Sequence, residues 1–211
     1  MKDYVCLDLY KEKIRMEKLL FDYLSQYITL SDEEKTALLD LDIFKQYKKG
    51  TILLKEGAIS TNIYFVLKGC IRSYYVVDGD EKTTAFYTEA ETLNPPCVIT
   101  GKPSEFYVSC VENSILIVGN AEMEKIIFQK FPKFESLCRI LSEKLLAKNK
   151  TEFDDFKISS PEQRYLNLLR TRPDLLQRVP QYQLASFLGI TAQSLSRMRN
   201  RIVKTPAAML N

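Results

Sequence analysis

Gln193, Arg197, Asn200 and Lys204 recur at steps of three and four residues, so on a helix they fall on one side, with Ser194, Ser196 and Arg201 flanking it. Leu195, Met198 and Ile202 make the opposite, apolar face. Side chains of the first set can do one kind of chemistry well: glutamine pairs two-pronged with adenine and arginine with guanine, while lysine gives phosphate a charge. Just upstream, Leu184, Ala185 and Leu188 give a shorter helix an apolar face. Gly189 supplies the left-handed residue that ends that helix, and Thr191 stands at the N-cap of the next. A small residue at the crossing, glycine in the turn and a cationic second helix are the layout of a DNA-binding helix-turn-helix. Its candidate contacts are Thr191, Gln193, Ser194, Ser196, Arg197, Asn200, Arg201 and Lys204. An ordinary helical hairpin shares the two-helix pattern, and charge argues between the two.

From residue 157 to residue 211 there are nine Lys and Arg against two acids, a net of +7, whereas the first 156 residues carry −4. The overall +3 therefore conceals two parts of opposite sign, which suggests a polyanion-binding module joined to something else. The 211 residues suffice for one large domain or for a larger and a smaller one. The chain contains no histidine, which removes the commonest general base, zinc ligand and haem ligand together. No phosphate-binding glycine loop or GxSxG elbow is present either, so neither catalysis nor a cofactor is expected. Five scattered cysteines read as reduced, mostly buried thiols. No apolar run approaches the roughly 20 residues a membrane span needs, and a cytoplasmic location without membrane association is expected.

The elements that must position the cationic helix can be read in order. Ile14, Leu19, Leu20, Tyr23, Leu24 and Tyr27 approximate a helical stripe, preceded by a charged helical lead-in or frayed arm. Ser31 and Glu34 form a capping box for a second helix. Strands are predicted near 43–48, 51–55, 62–68, 70–77, 82–87, 105–111 and 114–118, with Asp78-Gly79 as a hairpin turn. The prolines at 95 and 96 make residues 88–104 a loop or short irregular helix. Asn120 caps a helix over 121–130, and a long helix runs from Lys133 to Phe156 with Phe134, Leu137, Leu141 and Leu145 as its stripe. That stripe suits either an intramolecular core helix or one that pairs with a second copy. Ser159-Ser160-Pro161 then opens a further helix.

The segments Lys49-Gly50-Thr51-Ile52-Leu53-Leu54-Lys55-Glu56-Gly57 and Tyr64-Phe65-Val66-Leu67-Lys68-Gly69-Cys70-Ile71-Arg72 resemble the opening of the cyclic-nucleotide-binding β-roll of Crp–Fnr transcription regulators. The resemblance covers roughly residues 30–204 and implies an α+β fold. Residues 1–131 would be a β-roll (double-stranded β-helix) sensor with N-terminal helices, 132–157 a dimerisation helix and 158–211 a winged-helix-like helix-turn-helix domain. It favours pairing of the long helices across a two-fold axis through Phe134, Leu137, Leu141 and Leu145. The implied partners are a second copy, double-stranded DNA with an inverted-repeat operator, and RNA polymerase as a further candidate.

The sensor half departs from the family pattern. Relatives that bind cyclic AMP hold its phosphate with a Gly-Glu turn and a following arginine, yet no arginine lies between Arg72 and Arg139. A buried anion without a cationic partner is costly, so cyclic AMP is not the expected effector. Cys6 alone cannot hold an iron–sulfur cluster, and Cys97 is a candidate redox thiol or simply structural. Tyr64, Tyr74, Tyr75, Phe86, Tyr87, Phe106 and Tyr107 suit ordinary core packing, and they leave two alternatives for the effector, an apolar or aromatic small molecule or no ligand at all. The rival function is a signal-binding or protein-interaction module that does not bind DNA.

Overall fold

A computed structural model describes the backbone of residues 2–204 and the side chains of residues 13–202. Two helices open the chain, α1 (Lys2–Leu24) and α2 (Asp32–Leu39). No glycine or proline interrupts the first 49 residues, and the charged lead-in belongs to one continuous α1. Its buried face is Met16, Leu20 and Leu24, four apart, while Ile14 and Leu19 are exposed. Of the expected stripe, Leu20, Tyr23, Leu24 and Tyr27 face the core and Ile14 and Leu19 do not, because adjacent apolar residues at 19 and 20 cannot both lie on one narrow face. The capping box is present: Ser31 Oγ accepts from Glu34 N at 3.3 Å, and Glu34 Oε2 accepts from Ser31 N at 2.7 Å. Ser31→Ala should therefore lower stability by about 1 kcal/mol, read as a shift of the urea midpoint at unchanged slope.

The strands are β1 (Phe44–Tyr47), β2 (Ile52–Leu54), β3 (Asn62–Lys68), β4 (Ile71–Val77), β5 (Asp80–Tyr87), β6 (Thr92–Leu93), β7 (Tyr107–Cys110) and β8 (Ser114–Asn120). Each of the seven predicted strands is present. The short β6 and the helix α3 (Pro96–Thr100) occupy the segment read as loop or irregular helix. The strands form two four-stranded antiparallel sheets, ordered β1-β8-β3-β6 and β2-β7-β4-β5. Asp78 and Gly79 both have positive φ, 54° and 83°, as a type I′ hairpin turn between β4 and β5 requires. Gly69, with φ 108°, turns β3 into β4 where a Cβ would lie 2.7 Å from the Ser114 Cα.

Alternation along β3 and β8 sends Tyr64, Val66 and Leu116 between the sheets. Phe65, Ile115 and Ile117 go outward, beneath α1 and two later helices, α4 (Ala121–Lys130) and α5 (Lys133–Ile158). Both faces of this sheet are covered, which is why its strands read as almost unbroken apolar runs. Asn120 caps α4, its Oδ1 accepting from Met123 N at 2.9 Å. Among the residues filling the roll interior are Leu93, Cys97 and Phe106, all buried.

The face of α5 requires a correction. Phe134 and Leu137 are 4% and 3% exposed within a single chain, packed against the helices and outer sheet face. Leu141 packs partly against the same cluster, and Leu145 is half-buried beside β5. Phe134 and Leu137 are thus used within the chain, since the roll's outer sheet face needs an apolar lid, while Leu141 and Leu145 keep part of their surface accessible.

Four helices follow: α6 (Pro161–Thr171), α7 (Leu175–Arg178), α8 (Gln181–Phe187) and α9 (Ala192–Lys204). Ser160 Oγ caps α6 by accepting from Gln163 N at 3.2 Å, with Pro161 at the first helical position. Among the described residues no strand follows β8, so the expected winged-helix-like character extends only to the helices. The turn of α7 between Pro173 and Pro180, anchored by buried Leu175, takes up the chain that joins α6 to α8.

Candidate nucleic-acid interface

The turn between α8 and α9 fixes the angle at which the cationic helix is presented. Gly189, with φ 73°, ends α8 in a Schellman motif: Gly189 N donates to Ser186 O at 3.0 Å and Ile190 N to Ala185 O at 2.9 Å. Thr191 Oγ1 then caps α9 by accepting from Ser194 N at 3.1 Å. Leu184, Ala185 and Leu195 are each 1% exposed, so the two helices are locked by their apolar faces. Arg164 of α6 donates from Nη1 to Leu188 O at 3.0 Å, satisfying a carbonyl at the end of α8.

On this scaffold the predicted contact residues separate. Gln193, Ser196, Arg197 and Asn200 are exposed on α9, and Arg197 Nη2 lies 3.4 Å from Ser194 Oγ. Thr191 and Ser194 are committed to the cap and to each other, Thr191 Oγ1 and Ser194 Oγ being 2.9 Å apart. Arg201 is ion-paired with Glu162 in the first turn of α6. Lys204 lies outside the described side chains.

The arginines that sequence reasoning left unassigned bind the roll. Arg178 Nη1 donates to Glu89 Oε2 at 2.8 Å, and its Nε donates to Glu112 Oε1 at 3.0 Å. Arg172 Nη2 donates to Thr88 Oγ1 at 2.8 Å and to Glu91 Oε2 at 3.2 Å, and Lys148 of α5 also pairs with Glu91. Ser186 of α8 joins β5 twice, its Oγ accepting from Thr83 N and donating to Glu81 O, both at 2.9 Å. Phe187 sets its ring edge-on to Phe86, with centroids 5.3 Å apart. Burial alone would push the Glu89 carboxyl up, but hydrogen bonds from Arg178 and Gly69 N outweigh it and hold it below the usual carboxylate range. Cys70 is buried in the same apolar cluster, which pushes its thiol up to about 12.

The charge asymmetry of the sequence is therefore partly intramolecular. Two of the nine basic residues after position 156 face acids of the roll, and a third faces α6. The opposite signs of the two segments were the signal for this docking. The exposed side of α9 remains polar and cationic, with geometry suited to base edges and phosphates.

Residues 44–130 match the cyclic nucleotide-binding domain family. The fumarate and nitrate reduction regulatory protein of Vibrio cholerae serotype O1 is 25% identical over 182 residues, spanning 76% of this chain and 69% of that protein. Regulatory protein HlyX of Actinobacillus pleuropneumoniae is 23% identical over 190 residues, 84% of this chain and 79% of that one. The solved structure of FixK2 from Bradyrhizobium japonicum superposes with a TM-score of 0.56 at 17% identity, covering 75% of this chain and 83% of FixK2. Among the described residues, no helix is long and apolar enough to cross a membrane.

Proposed function

We propose that this chain, which belongs to the Crp–Fnr family of transcription regulators, reads an inverted-repeat DNA site as a homodimer, through the exposed face of α9. Regulators of this family bind DNA and act as dimers. The observation that carries the reading is the joint exposure of Gln193, Ser196, Arg197 and Asn200 on one side of a helix whose other side buries Leu195. Gln193 and Arg197 stand nearest the N-terminal end of α9, the end that enters the major groove in a helix-turn-helix. Arg197 is assigned to guanine and Gln193 to adenine, with Lys204 on phosphate. Thr191 and Ser194 hold the helix start in place, and Arg201 braces α9 against α6.

Dimerisation is assigned to α5, on a different face from the stripe used within the chain. Ser142, Leu146, Asn149, Phe153 and Phe156 are all exposed and follow one another at steps of four, three, four and three. That is the spacing of a coiled-coil seam. Leu146 and Phe153, 72% and 59% exposed, are large apolar side chains that a second α5 would cover. Two-fold symmetry then sets half-site centres about 34 Å apart.

Selection of binding sites from random DNA tests the reading head. Arg197→Ala should weaken binding about tenfold and flatten preference at one base position in each half-site. Lys204→Ala should weaken all sequences alike and reduce the salt slope by about 0.9. An unchanged selected sequence with Arg197→Ala would show that α9 lies in the groove by another face.

The packed roll interior bears on the effector. Tyr64, Leu93, Cys97 and Phe106 occupy the space between the sheets, and the loop around α3 offers no arginine. Cyclic AMP and cyclic GMP at millimolar concentration should accordingly leave the melting temperature unchanged. A saturable rise would point instead to Lys82 or Lys102 as the phosphate partner.

A further inference from the structure

Ser159 and Ser160 join α5 to α6, both in extended conformation, with φ −89° and ψ 140° at the first and φ −66° and ψ 159° at the second. Beyond this joint a cleft of about 600 Å³ lies between the C-terminal half of α5 and the helices α6 and α8, where a packed core would otherwise fix their angle. Arg164 crosses the gap. Its guanidinium lies 3.7 Å above the centroid of the Phe156 ring on α5, and its Nη1 donates to Leu188 O at 3.0 Å at the end of α8. The three parts meet closely: a Cβ added to Gly189 would stand 3.2 Å from Arg164 Nη1 and 3.6 Å from Phe156 Cζ. Arg164 Nε is buried there without a hydrogen-bond partner, a cost that a side chain turned outward to solvent would avoid. The guanidinium is thus held between ring and turn at some expense of stability. Arg172, Arg178 and Ser186 fix the unit to the roll through the end of α6, α7 and α8. Arg164 instead ties the turn that aims α9 to a ring of the proposed dimer seam.

We propose that Arg164 is a positioning residue for DNA reading: by stacking on Phe156 and bonding Leu188 O, it sets the angle of α9 to the two-fold axis and so the half-site spacing the dimer accepts. A planar guanidinium can stack on a ring and donate from its edge at once, which an ammonium cannot. Choice of bases and choice of spacing then have different owners, the side chains of α9 for the first and the Phe156–Arg164–Leu188 bracket for the second. One base pair added between half-sites moves them about 3.4 Å apart and turns one against the other by about 35°, so a rigid bracket rejects it. The proposal rests on the dimer reading above and deepens it.

Inverted repeats of the selected half-site are made at the preferred spacing and with one base pair added or removed, and the full chain is titrated against each. The wild type should favour its best spacing at least roughly tenfold. Arg164→Lys and Phe156→Leu should cut that preference to about twofold, the first losing the flat fork and the second the ring face. Phe156→Tyr keeps the face and should retain the wild-type preference. Half-site bases chosen by all three variants should be those of the wild type, since no base-reading side chain is changed. Should Arg164→Lys melt early, the contrast between Phe156→Leu and Phe156→Tyr decides; should Phe156→Leu sediment as a monomer, Arg164→Lys, which lies off the seam, decides. The proposal is overturned if the variants lose affinity equally at every spacing, as a merely destabilised unit would, or if Phe156→Leu and Phe156→Tyr behave alike. A wild type that sediments as a monomer or selects no inverted repeat overturns the dimer reading and this proposal together. A dimeric Arg164→Lys with undiminished spacing preference overturns this proposal alone.

Discussion

A Phe153→Glu variant is expected to sediment as a monomer and to lose specific DNA binding by about 1,000-fold, most of the margin separating specific from non-specific affinity. Phe153 is 59% exposed in a single chain, so the substitution leaves the folded protomer nearly untouched. In the proposed dimer it sets two carboxylates against each other across the two-fold axis, and Lys157, whose Nζ lies 5.3 Å from the Phe153 ring, offsets their repulsion only in part. A monomer carries one reading helix and makes half the contacts. Leu141→Glu is the informative contrast. Leu141 packs partly against the core beneath α1, so that change should lower the urea midpoint of the protomer rather than dissociate an otherwise stable one. Sedimentation and urea melts of both variants separate the two faces. A Phe153→Glu dimer would move the interface off this side of α5.

Arg178→Glu is expected to release the helix-turn-helix unit from the roll. Arg178 bonds Glu89 and Glu112 and lies 3.5 Å from Asp174, which Arg172 also pairs at 3.7 Å, so reversal gathers four carboxylates and leaves Glu89 and Glu112 without their guanidinium. The Arg178 side chain is only 22% exposed, and a loss of about 3 kcal/mol in docking is reasonable for a partly buried network. Amide exchange should rise across α6–α8 and across the Glu89–Glu91 turn, while the roll's β3 and β8 stay protected. Acid should act on the wild type in the same direction. Glu89 has its carboxyl held below the ordinary value of 4.5, so its contribution is complete above that pH and is lost as pH falls through the depressed value. Protection factors, corrected for the intrinsic pH dependence of amide exchange, that stay unchanged as pH falls well below 4.5 would exclude this coupling.

Local signals in the sequence were reliable where the structure they encode is local. The Ser31–Glu34 capping box, the Asp78-Gly79 turn, the Asn120 cap and the Gly189-to-Thr191 corner each depend on residues within a few positions of one another. Strand positions were equally legible, because burial on both sheet faces writes long apolar runs into β3 and β8. What each helical stripe packs against was not. On α1 and α5 more apolar residues are available than one face can use, and which of them is buried is decided by a sheet folded from elsewhere in the chain. Docking of the C-terminal unit was hidden for the same reason, since Arg178 and Glu89 lie 89 residues apart and neither forms a motif. The asymmetry of charge announced an attraction without naming its object, and part of what looked like affinity for DNA proved to be affinity for the roll.

The unit's hydrogen bonds to the roll come from Arg172, Arg178 and Ser186, all upstream of the turn at Gly189. The side chains assigned to base reading lie downstream of it. In the proposed reading, base recognition and docking to the roll are thus written in separate stretches of the gene. A duplicated copy can acquire a new set of promoters by changing Gln193, Ser196, Arg197 and Asn200 while inheriting its regulation intact. Transplanting those four residues between paralogues should redirect the operator without disturbing the response.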